Sequence, residues 1–166
     1  MKWIDRTWEF NRDEKAAHLS VQILSATASK LQLLVGKTDP EQLKLRTNGK
    51  WSVNEHAGHL LTMESLWIAR LDDLVLGHEN VRPWNGNNAD TEAAEFNRQR
   101  LGKIIGDFEE IRMSHLNLLE TYLPNALNMR AFLAEIKCDM TLADHLYFMA
   151  EHDLHHLLEI EKILRT

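Results

Sequence analysis

The sequence is poor in cysteine and basic residues, and it has no long apolar run. Its 166 residues hold one cysteine, Cys138, which excludes an internal disulfide and favours a reducing, cytoplasmic compartment. No stretch approaches the roughly 20 apolar residues of a membrane helix, and the opening residues lack the apolar core of a secretory signal. The net charge of −6, from 19 Lys and Arg against 25 Asp and Glu, gives no electrostatic attraction to nucleic acid. We therefore expect a cytoplasmic globular protein with neither a nucleic-acid nor a membrane partner.

Glycine and proline are also scarce, at 7 and 3 residues, and they fall between long uninterrupted stretches. This distribution predicts helices rather than many short strands. We expect four helices, over residues 13–35, 53–77, 91–124 and 141–164, with an irregular loop over 78–90. Residues 125–140 are ambiguous, because they fit either a loop with a helical turn or a short extended piece. The pattern predicts an all-α four-helix bundle in a single domain over residues 1–166.

Local signals mark the starts of three of these helices. Ser52 and Glu55 have the S-x-x-E spacing of a capping box, and Thr141 and Asp144 have the same spacing before the last helix. Thr91 is the expected N-cap of the third helix, which we expect to end at the proline at position 124.

Nine histidines in a small acidic chain are the main compositional oddity. On the last helix, His152 and His156 lie four residues apart at one edge of the apolar stripe, so their imidazoles can converge on one ion. His155 projects further toward solvent. The second helix offers His56 and His59, and periodicity does not choose between them. An isolated pair at this spacing also fits ordinary surface or core-edge histidines, so a third ligand from another helix would decide the matter.

Two segments resemble the motifs of a known family. Residues 51–60, WSVNEHAGHL, resemble the W-S-x-x-E-x-x-x-H-L signature of the DinB-like superfamily. Residues 151–157, EHDLHHL, resemble its closing histidine motif. The resemblance covers almost the whole chain from residue 51 onward and extends weakly before it. One position departs from the family pattern, since Glu159 stands where the family often has glutamine.

The resemblance implies an up-down-down-up four-helix bundle in which three histidines hold a divalent metal ion. Carried over position by position, the ligands are His59, His152 and His156, with His56 and His155 as neighbours. Zinc and nickel both suit imidazole ligands. Three neutral imidazoles leave at least one coordination position for water or substrate, as in catalytic metal sites.

The resemblance also sets the expected chemistry. Relatives include transferases and isomerases that use low-molecular-weight thiols, and relatives commonly pair as homodimers. We expect a metal-dependent transferase or hydrolase that acts on a small-molecule substrate, with or without a thiol cosubstrate. The alternative is a non-catalytic helical bundle that binds a ligand or a partner helix, with a structural or vestigial metal site.

Four further residues are candidates for roles around the ion. Glu64 and Asp153 fall on apolar stripes, so each is expected either to hold a ligand histidine by a hydrogen bond or to form an interhelical ion pair. Arg70 is expected to bind an anionic group of the substrate or to pair with Asp73 or Glu64. Trp67 is expected in the core or in the pocket wall.

Overall fold

The computed structural model describes residues 3–165 and contains five α-helices and one antiparallel pair of strands. Residues 1, 2 and 166 of the predicted domain lie outside this description. In chain order the elements are α1 (Glu14–Val35), α2 (Val53–Val75), α3 (Ala89–Ala93), α4 (Leu101–Ala126), β1 (Arg130–Leu133), β2 (Cys138–Thr141) and α5 (Leu142–Leu164). Short 3-10 turns occupy Trp3–Asp5, Gln42–Lys44 and Phe96–Arg98. No helix in residues 3–165 is long and apolar enough to cross a membrane.

Both predicted capping boxes are confirmed. The Ser52 hydroxyl accepts from the backbone N–H of Glu55, whose carboxylate accepts from the backbone N–H of Ser52. Thr141 and Asp144 form the same reciprocal pair at the start of α5. Each box satisfies two backbone donors that the first turn would otherwise leave unpaired, and so fixes where the helix begins.

The directions of the four long helices follow from contacts between them and the residues that lead into them. Helices α2 and α5 are antiparallel, whereas α1 runs parallel to α5 and α4 runs parallel to α2. The antiparallel pairing of α2 and α5 follows from the contacts His56–His156 and Trp67–His145. The parallel pairing of α1 and α5 follows from Asn11–Asp144 and Thr27–Asp153. The parallel pairing of α2 and α4 follows from Asn54–Gln99 and Glu64–Arg112. Two consecutive helices therefore point down between two that point up, which confirms the predicted up-down-down-up bundle.

The bundle core has two apolar halves separated by a polar layer. One half includes Leu24, Trp67 and Leu146, and the other includes Leu60 and Phe108. Each long helix contributes one polar residue at the level between the two halves: Thr27, Glu64, Arg112 and Asp153. The last three are at most 2% exposed, so they depend on one another for hydrogen bonds.

The predicted boundaries of the third helix are wrong. Thr91 lies inside α3 and is not an N-cap, and a left-handed residue, Glu95 (φ 47°), and a 3-10 turn separate α3 from α4. The break places the buried ring of Phe96 against Gly58 of α2, where a longer side chain at residue 58 would not fit. Helix α4 also continues two residues past position 124, to Ala126.

The ambiguous segment forms a β-hairpin, so the extended alternative is the correct one. Strand β1 pairs with β2 from Arg130 opposite Thr141 to Leu133 opposite Cys138. The loop after α2 joins this hairpin, since the backbone N–H of Val81 donates to Phe132 O and that of Phe132 donates to Glu79 O. The loop is thereby held close to α2 and the hairpin.

Candidate metal site

Three histidine rings meet between α2 and α5. Nε2 of His152 lies 3.3 Å from Nε2 of His59 and 3.2 Å from Nε2 of His156. One ring nitrogen from each lies within 4.8 Å of the others, and all three residues are buried. Two nitrogens bound to one tetrahedral ion at zinc–nitrogen distances are about 3.3 Å apart. The three rings therefore form a group that can hold a metal ion.

A chain of hydroxyl groups fixes the orientation of His59. Its Nδ1 lies 3.0 Å from Oγ1 of Thr91, which lies 2.9 Å from Oγ1 of Thr62. The Thr62 hydroxyl donates to the carbonyl oxygen of His59 at 3.1 Å. Because a carbonyl only accepts, each hydroxyl donates onward, and Nδ1 of His59 must carry the proton. The lone pair on Nε2 is then left for an ion.

A fourth histidine supports His156. Nδ1 of His156 lies 2.9 Å from Nδ1 of His56, so one of the two atoms carries a proton that the other accepts. When Nε2 of His156 binds an ion, its Nδ1–H donates to His56. Burial lowers the pKa of His56 to about 4, so this acceptor is neutral at pH 7.

His59, His152 and His156, called the triad below, are held in the neutral form that metal ions require. Burial, and then repulsion from neighbouring imidazoles, lowers the pKa of His59 to about 3. The same two causes lower the pKa values of His152 and His156 well below the ordinary 6.5. Each ring can therefore offer a lone pair without first losing a proton.

Aromatic rings surround His152. The indoles of Trp3 and Trp67 lie edge-on to its ring, with centroid separations of 5.1 and 5.4 Å. Its Nδ1 has no hydrogen-bond partner among residues 3–165. Trp67 is 2% exposed in the core, and it also lines the space beside the three histidines.

A cavity of about 500 Å³ extends from the triad. Four of the five tryptophans of the chain line it. Arg70 and Glu135 also line it. A second cavity of about 290 Å³ shares six lining residues with the first, and its other walls are more polar. The shared residues are His59, Met63, Leu66, Trp84, Asn87 and Asn88. The three histidines therefore border a space that a small molecule can enter.

Arg70 does not form either of the predicted ion pairs. Its Nη2 donates to Glu135 Oε1 at 2.5 Å, and its Nε donates to the carbonyl oxygen of Arg82 at 2.8 Å. Asp73 instead binds Arg82 and His78. The reason is topological, since the β-hairpin brings Glu135 to Arg70, and sequence spacing does not show this approach.

Glu64 and Asp153 do not contact the three histidines. Each forms an interhelical ion pair, which was the alternative expectation. Arg112 donates to Glu64 Oε1 at 2.5 Å and to Asp153 Oδ2 at 2.6 Å. Thr27 also donates to Asp153, and His115 contacts Glu64. Burial opposes the charge of Arg112, but the two carboxylates outweigh it and raise its pKa. These two acids therefore belong to the polar layer of the core.

Sequence reasoning missed Thr62, Thr91, Arg112 and Glu135. Arg112 had a usable signal, because it interrupts the apolar spacing of Phe108 and Leu116 on α4. Thr91 and Glu135 carry no local signal, since their partners lie far away in the sequence. Thr62 has a local partner in the carbonyl oxygen of His59, but that bond does not reveal its contact with Thr91.

Comparison with known proteins identifies the family of the chain and a similar fold. A family model described as the DinB superfamily matches residues 23–160. The fold is similar to that of YfiT from Bacillus subtilis, with a TM-score of 0.77 at 17% sequence identity, over 96% of this chain and 92% of that one. YfiT is described as a probable metal-dependent hydrolase with an unusual four-helix bundle topology. No curated protein gives a significant match to the sequence. Because the family model spans most of its length, the chain belongs to the DinB superfamily.

Proposed function

We propose that this protein is a metal-dependent hydrolase or transferase that acts on a small molecule. The observation that carries the proposal is the meeting of three Nε2 atoms, of His59, His152 and His156, at the wall of a cavity of about 500 Å³. A site that serves only to stabilise a fold is closed by four protein ligands, whereas three ligands beside a cavity are typical of catalysis. The likeness to YfiT supports the same class of activity.

We propose zinc or nickel as the ion, because both accept imidazole nitrogen. On three neutral imidazoles such an ion supplies a Lewis acid that lowers the pKa of a water or a thiol bound at its free position. Within the chain, Thr91 holds the ring of His59 and His56 holds the ring of His156. Trp3 and Trp67 limit the access of water to His152. These residues keep the three nitrogens in place before any ligand arrives.

Metal analysis after reconstitution tests the proposal. We expect one equivalent of zinc or nickel in the wild-type chain and almost none in the His152→Ala/His156→Ala variant. The matched control is His18→Ala, which removes an exposed imidazole of α1 and should keep its metal. Equal, negligible metal in the wild type and the double variant would refute the proposal.

Turnover separates the catalytic function from a purely structural ion. The metal-loaded chain is screened against esters and amides, with and without an added low-molecular-weight thiol. A hydrolase releases the alcohol or amine and the free acid without the thiol. A thiol acyltransferase moves the acyl group to the thiol, releases the alcohol or amine, and forms a thioester that mass spectrometry detects. Metal loading that raises the melting temperature, with no turnover in either condition, would favour the non-catalytic bundle instead.

A further inference from the structure

The cavity beside the triad is elongated. Its α2 wall contains His59, Met63, Leu66 and Arg70, which lie on one face of the helix at spacings of four, three and four residues. At 1.5 Å per residue, the first and last of these α-carbons are about 16 Å apart. The cavity therefore runs from the histidines at one end to the Arg70–Glu135 pair at the other.

The walls of this cavity are aromatic. The rings of Trp3, Trp51, Trp67 and Trp84 line it, together with Phe148. Indole faces and edges contact flat rings favourably in offset or edge-to-face arrangements, and each ring removes a large apolar area from water. A volume of about 500 Å³ falls in the range of sites that enclose small organic ligands.

The far end of the cavity carries no net charge. Apart from imidazoles, its charged lining residues within the described part of the chain are Arg70 and Glu135, which pair at 2.5 Å. Arg70 is 2% exposed, and its Nε is taken by the carbonyl oxygen of Arg82. Glu135 Oε2 has no hydrogen-bond partner among the described residues, but Arg70 beside it balances the charge of the carboxylate. A charged group on a ligand would therefore gain no net attraction there, and burying it would be costly.

We propose that the substrate of this site is an elongated aromatic molecule whose body is uncharged, with its reacting group at the three histidines and its rings between the tryptophans. This inference rests on the proposed function for the position of the reacting group. The choice of an uncharged aromatic body rests on the cavity walls and on the Arg70–Glu135 pair.

The test uses two dyes with the same aromatic body. N-phenyl-1-naphthylamine is uncharged, and 8-anilinonaphthalene-1-sulfonate carries an added sulfonate. Binding of each to the full, metal-free chain is measured by dye fluorescence and by energy transfer from tryptophan. We expect one neutral dye per chain, bound at least about tenfold more tightly than the sulfonate, because the sulfonate loses its hydration without gaining a partner. This ratio is measured on the wild-type chain and needs no variant.

Two matched substitutions locate the dye. Ile4→Glu places a carboxylate in the aromatic cavity, and Ser65→Glu places one in the second cavity alone. Both residues are at least partly exposed, and circular dichroism checks the fold of each variant. Ile4→Glu should weaken binding of the neutral dye about tenfold, and Ser65→Glu should leave it unchanged.

The outcomes separate this inference from the proposed function. Failure of the neutral dye to bind, binding no tighter than that of the sulfonate, or loss of binding only in Ser65→Glu would overturn the inference. Zinc loading is then measured on the same preparation. Dye binding without zinc binding would refute the proposed function alone, and zinc binding without dye binding would refute the substrate class alone.

Discussion

Nδ1 of His59 lies 3.0 Å from the hydroxyl oxygen of Thr91, and this contact joins α2 to the short helix α3. The Thr91 hydroxyl donates a hydrogen bond to the Thr62 hydroxyl, which in turn donates to the carbonyl oxygen of His59. The ring and the backbone of one residue are thus connected through two hydroxyl groups. Rotation of the His59 ring would break these hydrogen bonds and leave buried polar atoms unpaired, so the ring has one favoured orientation.

Thr91→Val should weaken metal binding while preserving the fold. Valine has nearly the same shape, but it cannot accept the proton of His59 Nδ1. Loss of such a supporting hydrogen bond typically costs 10–100-fold in metal affinity, so we expect roughly a tenfold increase in the zinc dissociation constant. Competition with a chromophoric chelator measures this constant. Thr91→Ser, which retains the hydroxyl, should bind zinc as the wild type does, and equal affinity in the valine variant would contradict the role of Thr91.

His56→Leu should also weaken metal binding, through His156. The substitution removes the atom that lies 2.9 Å from Nδ1 of His156 and leaves a buried ring proton without an acceptor. We expect about a tenfold loss of zinc affinity and a changed visible spectrum of the cobalt-loaded protein. His56→Gln offers a side-chain oxygen as a replacement acceptor and should recover part of the loss. An unchanged cobalt spectrum in His56→Leu would show that His156 is oriented by other contacts.

Arg112→Met should destabilise the protein strongly. The substitution leaves the carboxylates of Glu64 and Asp153 buried without their cation. Breaking a buried pair in this way costs about 3–5 kcal/mol in the free energy of unfolding, which urea denaturation measures. The triple variant Arg112→Met/Glu64→Leu/Asp153→Leu removes all three charges and should be more stable than Arg112→Met. A loss below about 1 kcal/mol in the single variant would show that the carboxylates find other partners.

The elements that sequence predicted well are those whose causes are local. Ser52 needs only Glu55, three residues away, to start α2, and Thr141 needs only Asp144 to start α5. The break at Glu95 has a distant cause, because it depends on the space that Gly58 leaves for Phe96. Capping residues and periodicity within one helix do not reveal such a contact between helices.

The site residues likewise divide into those with a local sequence signal and those without one. The four-residue spacing of His152 and His156 is visible on one helix, so periodicity alone made the pair a candidate. Choosing His59 rather than His56 required the family motif, because both lie on α2 and both end up buried next to α5. Glu135 lies in the segment whose conformation was ambiguous, so its pairing with Arg70 could not be predicted from spacing.

Gly58→Ala should destabilise the protein, whereas Gly106→Ala should not. A Cβ at residue 58 would overlap the ring of Phe96, but one at residue 106 meets nothing within 4 Å. Overpacking of this kind typically costs about 1–3 kcal/mol, while alanine in place of an unobstructed helical glycine gains about 0.5–1 kcal/mol. Thermal and urea unfolding measure both effects. The variant Gly58→Ala/Phe96→Ala relieves the overlap but loses the packing of the ring, and equal stability of Gly58→Ala and wild type would contradict this packing.

His145 should make the stability of the metal-free protein fall as the pH drops below 6.5. Its side chain is fully buried, its Nε2 lies 3.4 Å from the carbonyl oxygen of Trp67, and burial lowers its pKa to about 3. Between pH 6.5 and the folded-state pKa, the unfolded chain binds a proton that the folded chain excludes. This difference removes about 1.4 kcal/mol from the free energy of unfolding for each pH unit of acidification. Above pH 6.5 both states of the chain hold His145 neutral, so this loss is absent there.

His145→Gln isolates this contribution, because an amide can still donate to the Trp67 carbonyl but does not titrate. The free energy of unfolding is measured in urea from pH 7 to pH 4.5 for both chains after chelation. The slope for the variant should be shallower than that of the wild type by about 1.4 kcal/mol per pH unit. Other titrating groups affect both chains alike, so they cancel in the comparison. Parallel slopes would mean that His145 becomes protonated without unfolding, either because the core admits water or because the unpartnered Nδ1 finds an acceptor.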